Sequence, residues 1–224
     1  MKLRHELKHI INHADYLVLR HRLTRLFQHD NNAGAHGEYC VRSLYFDTRD
    51  DHALKQIING VDRREKFRLR MYNGDASYIR LEKKTKQNGL YAKKRALLTK
   101  EQVEWLLQGD TEWMRDSGEP LLLELYSKMH GQQLRPKTVV EYIRESFVYP
   151  AGNVRITLDR EIKTGLTSTG FLDNKLPLFD AFKSFMVLEI KYDEYIPDLV
   201  IRAVQVSDRR RSAFSKYSLC RKYG

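Results

Sequence analysis

Residues 64–72 read REKFRLRMY. In a β-strand, side chains alternate between two faces. Arg64, Lys66, Arg68 and Arg70 then share one face, and Glu65, Phe67, Leu69 and Met71 share the other. The first face is a ladder of cations with no acid among them. One such strand is ordinarily solvated surface, so its meaning depends on whether other strands repeat the pattern.

They do. In LRHELKHII, residues 3–11, Arg4, Glu6 and Lys8 oppose Leu3, His5 and Leu7. In SYIRLEKKT, residues 77–85, Arg80, Glu82 and Lys84 oppose Ile79 and Leu81. Tyr142 and Arg144 alternate with Val139, Glu141 and Ile143 in KTVVEYIRESFVYP, residues 137–150. In VRITLD, residues 154–159, Arg155, Thr157 and Asp159 oppose Ile156 and Leu158. In VLEIKYD, residues 187–193, Glu189, Lys191 and Asp193 oppose Leu188, Ile190 and Tyr192. EYCVRSLYFDT (residues 38–48) and LYAKKRALL (residues 90–98) also read as strands. Turns are expected at NGDA and KQNG.

Helices are expected between some of these strands. Tyr16, Leu19, Leu23, Leu26 and Phe27 form an apolar stripe at helical spacing. Thr48 is placed to cap RDDHALKQII, and Asp47 to start a turn there. Thr99 and Gln102 make a capping box before KEQVEWLLQ, Pro120 opens PLLLELYSKMHG, and Pro197 precedes DLVIRAVQV. The tail SAFSKYSLCRKYG reads as a final basic helix. His5, His9 and His13 belong to strand and helix rather than to a metal set, and Trp105 and Trp113 to core or interface. Most connections are turns, which favours an antiparallel α+β architecture in one domain spanning residues 1–224.

A closed antiparallel β-barrel tunnel of about eight strands suits these faces. The apolar faces lie outside under flanking helices, and the charged faces line the interior. Buried unpaired charge is costly, so such a tunnel must be wet or hold a polyanion. Arginine forks grip phosphate oxygens in bidentate fashion and lysine adds a point charge. Isolated glutamates among them suit Mg²⁺ or Mn²⁺ bound with the phosphates.

Composition agrees. The 224 residues carry 40 Lys plus Arg against 29 Asp plus Glu, a net charge of +11, which points to an anionic partner. Nucleic acid is not expected, because the aromatic residues fall mostly on the apolar parity or in helices, away from the cations. Cys40 and Cys220 have no CxxC spacing, which argues against a disulfide framework or zinc site and fits a reducing compartment, the cytoplasm. No signal peptide opens the sequence, and no apolar run approaches about 20 residues.

The ordered motifs ELK, SLYFDT, KFRLR, LEKKT, YIRESF, VRITLD, VLEIKY and FSKY resemble the VTC domain. That family is the polyphosphate polymerase branch of the triphosphate tunnel metalloenzymes, or CYTH-like superfamily. The resemblance runs from Arg4 to about Tyr217. It implies transfer of the γ-phosphoryl group of ATP to a growing polyphosphate chain. Lys8, Arg68, Arg70, Lys84, Lys93, Arg144, Arg155 and Lys191 are implied to line the tunnel and act on the phosphates. Arg4, Lys66, Arg80, Arg95, Tyr142, Ser215 and Lys216 are implied to bind substrate. Glu189, with Glu6 and Glu82, is implied to hold Mn²⁺ or Mg²⁺. Ala213 and Ile57 stand where the family often has cations, with Arg211 and Lys55 nearby as replacements. A membrane-protein partner subunit is a further implication. Removing Arg68 or Arg70 from this crowded positive face is expected to relieve repulsion.

Overall fold

The computed structural model describes residues 3–31, 33–34, 37–181, 183–206 and 214–222. Ten strands form one antiparallel sheet: β1 (His5–Ile11), β2 (Gln28–His29), β3 (Glu38–Asp47), β4 (Arg64–Tyr72), β5 (Ile79–Gln87), β6 (Leu90–Leu98), β7 (Arg135–Tyr149), β8 (Val154–Thr164), β9 (Phe179–Asp180) and β10 (Met186–Tyr192). The strand order is β1-β10-β8-β7-β3-β4-β5-β6, with β2 on β7 and β9 on β8. The β5–β6 hairpin turns on Asn88 and Gly89, both with positive φ, as a two-residue turn that follows the strand twist requires.

Residues from opposite ends of this order meet. Lys84 Nζ on β5 lies 2.7 Å from both carboxylate oxygens of Glu6 on β1. The sheet therefore curls, with the charged parity on its concave face. The expected closed barrel is corrected here. Among the described residues, β1 and β6 form no ladder, only one bridge, in which Arg4 and Tyr91 exchange backbone hydrogen bonds of 3.0 and 3.1 Å. The structure is an open, curled half-barrel whose edges, among the described residues, share backbone hydrogen bonds at a single pair.

Six helices flank it among the described residues: α1 (His13–Leu26), α2 (His52–Ile58), α3 (Lys100–Gln108), α4 (Pro120–Gly131), α5 (Asp198–Val204) and α6 (Lys216–Lys222). None is long and apolar enough to cross a membrane. On the convex face, Phe67, Leu69 and Met71 join Leu81, Ile79 and residues of α3 and α4 in one core. Ile156, Leu158, Leu188 and Ile190 join Tyr16, Leu19 and Leu23 of α1 and Val200 of α5 in a second. Leu26 does not complete the stripe and is exposed.

The capping boxes form at both ends that carry them. Asn12 pairs with Asp15 at α1, and Thr99 with Gln102 at α3. Proline sits at the first turn of α4 and at the cap of α5. At α2, Asp47 takes the larger role expected of Thr48. Its carboxylate accepts from the amides of Ala53 (2.8 Å) and Leu54 (3.0 Å), while Thr48 Oγ1 accepts from His52 at 3.1 Å.

A third apolar cluster lies on the concave face, where Tyr217 and Cys220 of α6 pack against Tyr39, Val41, Tyr45, Tyr142 and Val187. The expectation that aromatics avoid the charged face is thus overturned. Tyr39, Val41, Ser43 and Tyr45 alternate on the concave side of β3, and give it phenol hydroxyls and an apolar floor.

Candidate functional site

Alternation on each strand delivers the charged groups to one place. Lys66, Arg68 and Arg70 from β4, Lys84 from β5, Lys8 from β1, Glu189 and Lys191 from β10 and Arg144 from β7 line an inner cavity of ≈ 60 Å³. α6 adds Lys216, and the chain before it adds Phe214 and Ser215. A wider mouth of ≈ 390 Å³ opens from it. The two share Lys8, Lys66, Lys84, Phe214 and Ser215, and the mouth adds Glu6, Ile57, Arg64, Lys86 and Tyr91.

The cations are not stacked against one another unaided. Buried carboxylates separate them. Glu82, with no exposure, accepts from Arg68 Nε (2.8 Å) and Nη2 (2.6 Å) and from Lys93 Nζ (3.0 Å). Asp159, equally buried, accepts two hydrogen bonds from Arg144 (2.6 and 2.7 Å) and one from Lys216. Glu189 lies 2.9 Å from Lys191, 3.4 Å from Lys8 and 3.6 Å from Arg144. Tyrosine hydroxyls accept further guanidinium hydrogen bonds, Tyr45 from Arg68 at 3.0 Å and Tyr142 from Arg70 at 3.1 Å.

These contacts set the charge states. Burial alone would raise the Glu82 and Glu189 carboxyls, yet the surrounding cations hold both well below the usual carboxylate range. Burial also opposes the charge of Lys8, but Glu189 and Glu6 outweigh it and raise its pKa. Lys84 goes the other way. Burial brings it down to about 7, with Glu6 opposing and Lys8 assisting. Lys66 lies 3.5 Å from Ser215 Oγ and faces the Tyr45 ring, with no carboxylate partner among the described residues. Burial and the charges of Lys84, Lys8 and Arg68 push it well below the ordinary lysine value.

The sequence profile of the VTC domain matches residues 3–223. The chain belongs to the VTC domain family. Comparison with curated proteins found no sequence match. Among solved structures, the fold is similar to that of HpAC1 from Hippeastrum, a proposed adenylyl cyclase described as having a dominant triphosphatase activity. The TM-score is 0.61 at 13% identity, over 100% of this chain and 96% of that one. PH1012 from Pyrococcus horikoshii OT3 is similar with a TM-score of 0.51 at 12% identity, over 96% and 98% of the two chains. These likenesses concern the fold.

Not every residue implied by the VTC resemblance reaches the cavity. Lys93 projects from the edge strand to Glu82, and Arg95 is exposed beside it; neither lines the inner cavity or the mouth. Arg80 stacks on Tyr78 and Tyr72, with its guanidinium 4.4 and 5.4 Å from their ring centres. Arg155 is held by Asp30, by Tyr39 Oη (2.8 Å) and by Ser146 Oγ (2.9 Å). Arg4 binds Asp193 at 3.0 Å, at the seam between the sheet edges. Ile57 gives the mouth an apolar wall, which exposed Lys55 does not line. Ala213 and Arg211 lie outside the described residues. Asp159 and Tyr45 are site residues that the sequence motifs do not single out. Parity already placed Asp159 beside Arg155, and the same test applied to EYCVRSLYFDT would have placed Tyr45.

The metal set needs the same sorting. No group of three His, Cys, Asp or Glu side chains among the described residues could hold a metal ion unaided. Glu6 and Glu189 both reach the cavity region and bracket Lys8 Nζ at 3.6 and 3.4 Å. One or two carboxylates together with substrate phosphates are what Mg²⁺ ordinarily takes, so this pair fits a phosphate-borne ion. Glu82 lines neither cavity and so falls outside this set.

Proposed function

We propose that this VTC domain is a polyphosphate polymerase that uses ATP as donor. The observation that carries the reading is the ring of Lys8, Lys66, Arg68, Arg70, Lys84, Arg144, Lys191 and Lys216 around a cavity of ≈ 60 Å³ with a wider mouth. Phosphoryl transfer between phosphates needs no protein nucleophile, because the acceptor is already an oxyanion. The terminal oxygen of the chain attacks the γ-phosphorus of ATP, the bond to the β–γ bridging oxygen breaks, and ADP leaves. Alignment and charge neutralisation then supply the catalysis.

Arg68, Arg70 and Arg144 would hold the reacting phosphates through paired N–H donors, with Lys8, Lys191 and Lys216 adding charge. Ser215, Lys66 and Arg64 would hold the phosphates nearer the mouth. Mg²⁺ or Mn²⁺ bound by Glu6 and Glu189 with phosphate oxygens would neutralise developing charge. ATP, polyphosphate and a membrane-protein partner subunit belong to the same proposal.

Phosphorus NMR after incubation with ATP and Mn²⁺ or Mg²⁺ tests it. The expected products are chain phosphate and ADP. ADP and orthophosphate without any chain phosphate would support a tunnel phosphohydrolase; HpAC1 is described as having a dominant triphosphatase activity. Tight polyphosphate binding without turnover would support a sensor. Glu189→Gln is expected to abolish metal-dependent turnover while polyphosphate binding is retained. Turnover equal to the parent's would remove Glu189 from the metal pair.

A further inference from the structure

The mouth does not end at the concave face. A second cavity of ≈ 540 Å³ adjoins it and shares Arg64, Glu65, Lys66, Thr85 and Lys86 with it. This second cavity continues to Phe67 and Lys83, which belong to the convex face, and to Lys128 on α4. One groove thus passes round the ends of β4 and β5 from the concave side to the convex side. Seven lysines and arginines line the outer cavity, against two carboxylates, Asp47 and Glu65.

Neither carboxylate neutralises the surplus. Asp47 is occupied by the amides of Thr48, Ala53 and Leu54 and by the Tyr217 hydroxyl. Glu65 is held by Lys83 at 2.6 Å and by Lys128. Arg63, Arg64 and Lys94 have no carboxylate partner among the described residues. Cations left unpaired along a groove concentrate a flexible polyanion there.

We propose that this groove is a second binding track, taking the part of a linear polyphosphate chain that extends beyond the mouth. The inference rests on the phosphate-chain reading above. Single-stranded nucleic acid is the weaker occupant, because it gains affinity by stacking bases on exposed aromatic rings. The two phenylalanines lining this groove, Phe46 and Phe67, are buried in the convex core, which leaves the His52 imidazole as the exposed ring there, and no phenylalanine, tyrosine or tryptophan platform. A phosphate chain asks only for charge.

The experiment compares inorganic triphosphate with long polyphosphate. The double variant Arg63→Glu/Lys94→Glu reverses two exposed groove cations. The control Lys100→Glu/Arg115→Glu makes the same charge change at two exposed residues that line neither cavity. Melting curves establish that each protein is folded. The groove variant is expected to bind long polyphosphate about tenfold more weakly and triphosphate within about twofold of the parent, with the control unchanged. The parent, measured alone, is expected to show a steeper fall of log affinity with log salt for the long chain than for triphosphate.

Equal losses for both ligands, no loss for the long chain, or equal salt slopes would each overturn the track. An RNA oligonucleotide that displaces long polyphosphate from the parent and is itself lost in the groove variant would give the groove to nucleic acid instead. A parent that binds triphosphate with an unaffected groove variant sinks only the track. A parent that binds neither phosphate ligand sinks the phosphate-chain reading with it.

Discussion

Lys66 and Arg68 stand two residues apart on one face of one strand, and their surroundings give them opposite effects on stability. Arg68 spends two N–H groups on the buried carboxylate of Glu82. Lys66 has Ser215 and other cations around it. Relief of repulsion, expected on removing Arg68 or Arg70, therefore belongs to Lys66. Its folded-state pKa is depressed, so the unfolded chain holds that proton more readily. The cost is present at neutral pH, grows as pH falls toward the folded value, and vanishes above about 10.5.

Lys66→Met is expected to raise the melting temperature by roughly 2–4 °C for each kcal/mol of repulsion relieved, with the gain shrinking toward high pH. Arg68→Ala is expected to lower stability by about 1–3 kcal/mol, because Glu82 keeps Lys93 and the more distant Arg70 but loses both hydrogen bonds from Arg68. Both should weaken triphosphate binding by roughly 1.5–3 kcal/mol, the scale of a charge-assisted hydrogen bond. Calorimetry and binding on the two proteins decide it; the same stability change in both would refute the distinction.

Lys84 adds a pH dependence. With its ammonium brought down to about 7, the free protein loses this charge as pH rises through neutrality. Phosphate oxygens favour the charged form, so binding takes up a proton. Triphosphate affinity is expected to fall from about pH 6 to about pH 8, and Lys84→Arg, whose charge does not titrate there, should flatten the profile. Titrations in buffers of different ionisation enthalpy measure the proton directly.

At the scale of elements, α6 is the piece that brings Ser215 and Lys216 to the cavity, and two acids at α2 hold it. Tyr217 donates to Asp47 at 2.6 Å, and Arg221 binds Asp51 at 2.9 and 3.0 Å. Tyr217 is fully buried and stacks on Tyr45, with ring centres 5.1 Å apart. Tyr217→Phe keeps the stacking and deletes the hydrogen bond. It is expected to cost about 1–3 kcal/mol and to weaken triphosphate binding through Lys216. A melting curve and a binding isotherm matching the parent's would show that α6 is held by packing alone.

The strands were legible in the sequence because a period of two is a local signal. Phe67, Leu69 and Met71 lie in the core as REKFRLRMY demands. Asn88 and Gly89 mark their hairpin, and the capping boxes mark their helices. What a strand's neighbours contribute was less legible. Glu82 reads as a metal ligand beside Arg80 and Lys84, but β4 places Arg68 directly opposite it and takes its oxygens. Arg155 reads as tunnel lining, and the chain before β3 supplies Asp30 to hold it instead. Cross-strand register, not parity, decides which cation meets which acid.

At the scale of the molecule, parity is blind to closure as well. Whether a curled sheet joins its edges depends on strand number, tilt and stagger together. Here the Glu6–Lys84 ion pair and the Arg4–Tyr91 bridge span the gap that a ladder would otherwise fill. A bridge of one residue pair opens more easily than a ladder. Amide exchange at Arg4 and Tyr91 is expected to outpace that within β7, which pairs along most of its length on both sides. Equal protection at the seam and in β7 would mean that the edges behave as a joined sheet.

The open seam also bears on solubility. Apart from Tyr91, the free side of β6 presents a row of backbone donors and acceptors without a neighbouring strand among the described residues, a template on which a second copy could add its own edge. The sequence along that edge carries Lys93, Lys94 and Arg95 in succession, all three exposed. Two such edges brought together would set like charges face to face, so the molecules repel before their backbones can zip. Lys94→Thr/Arg95→Thr, which also raises β-propensity, is expected to leave the melting temperature within a few degrees of the parent's while shortening the time to turbidity in concentrated solution. A variant that stays as clear as the parent would show that another part of the surface keeps the copies apart.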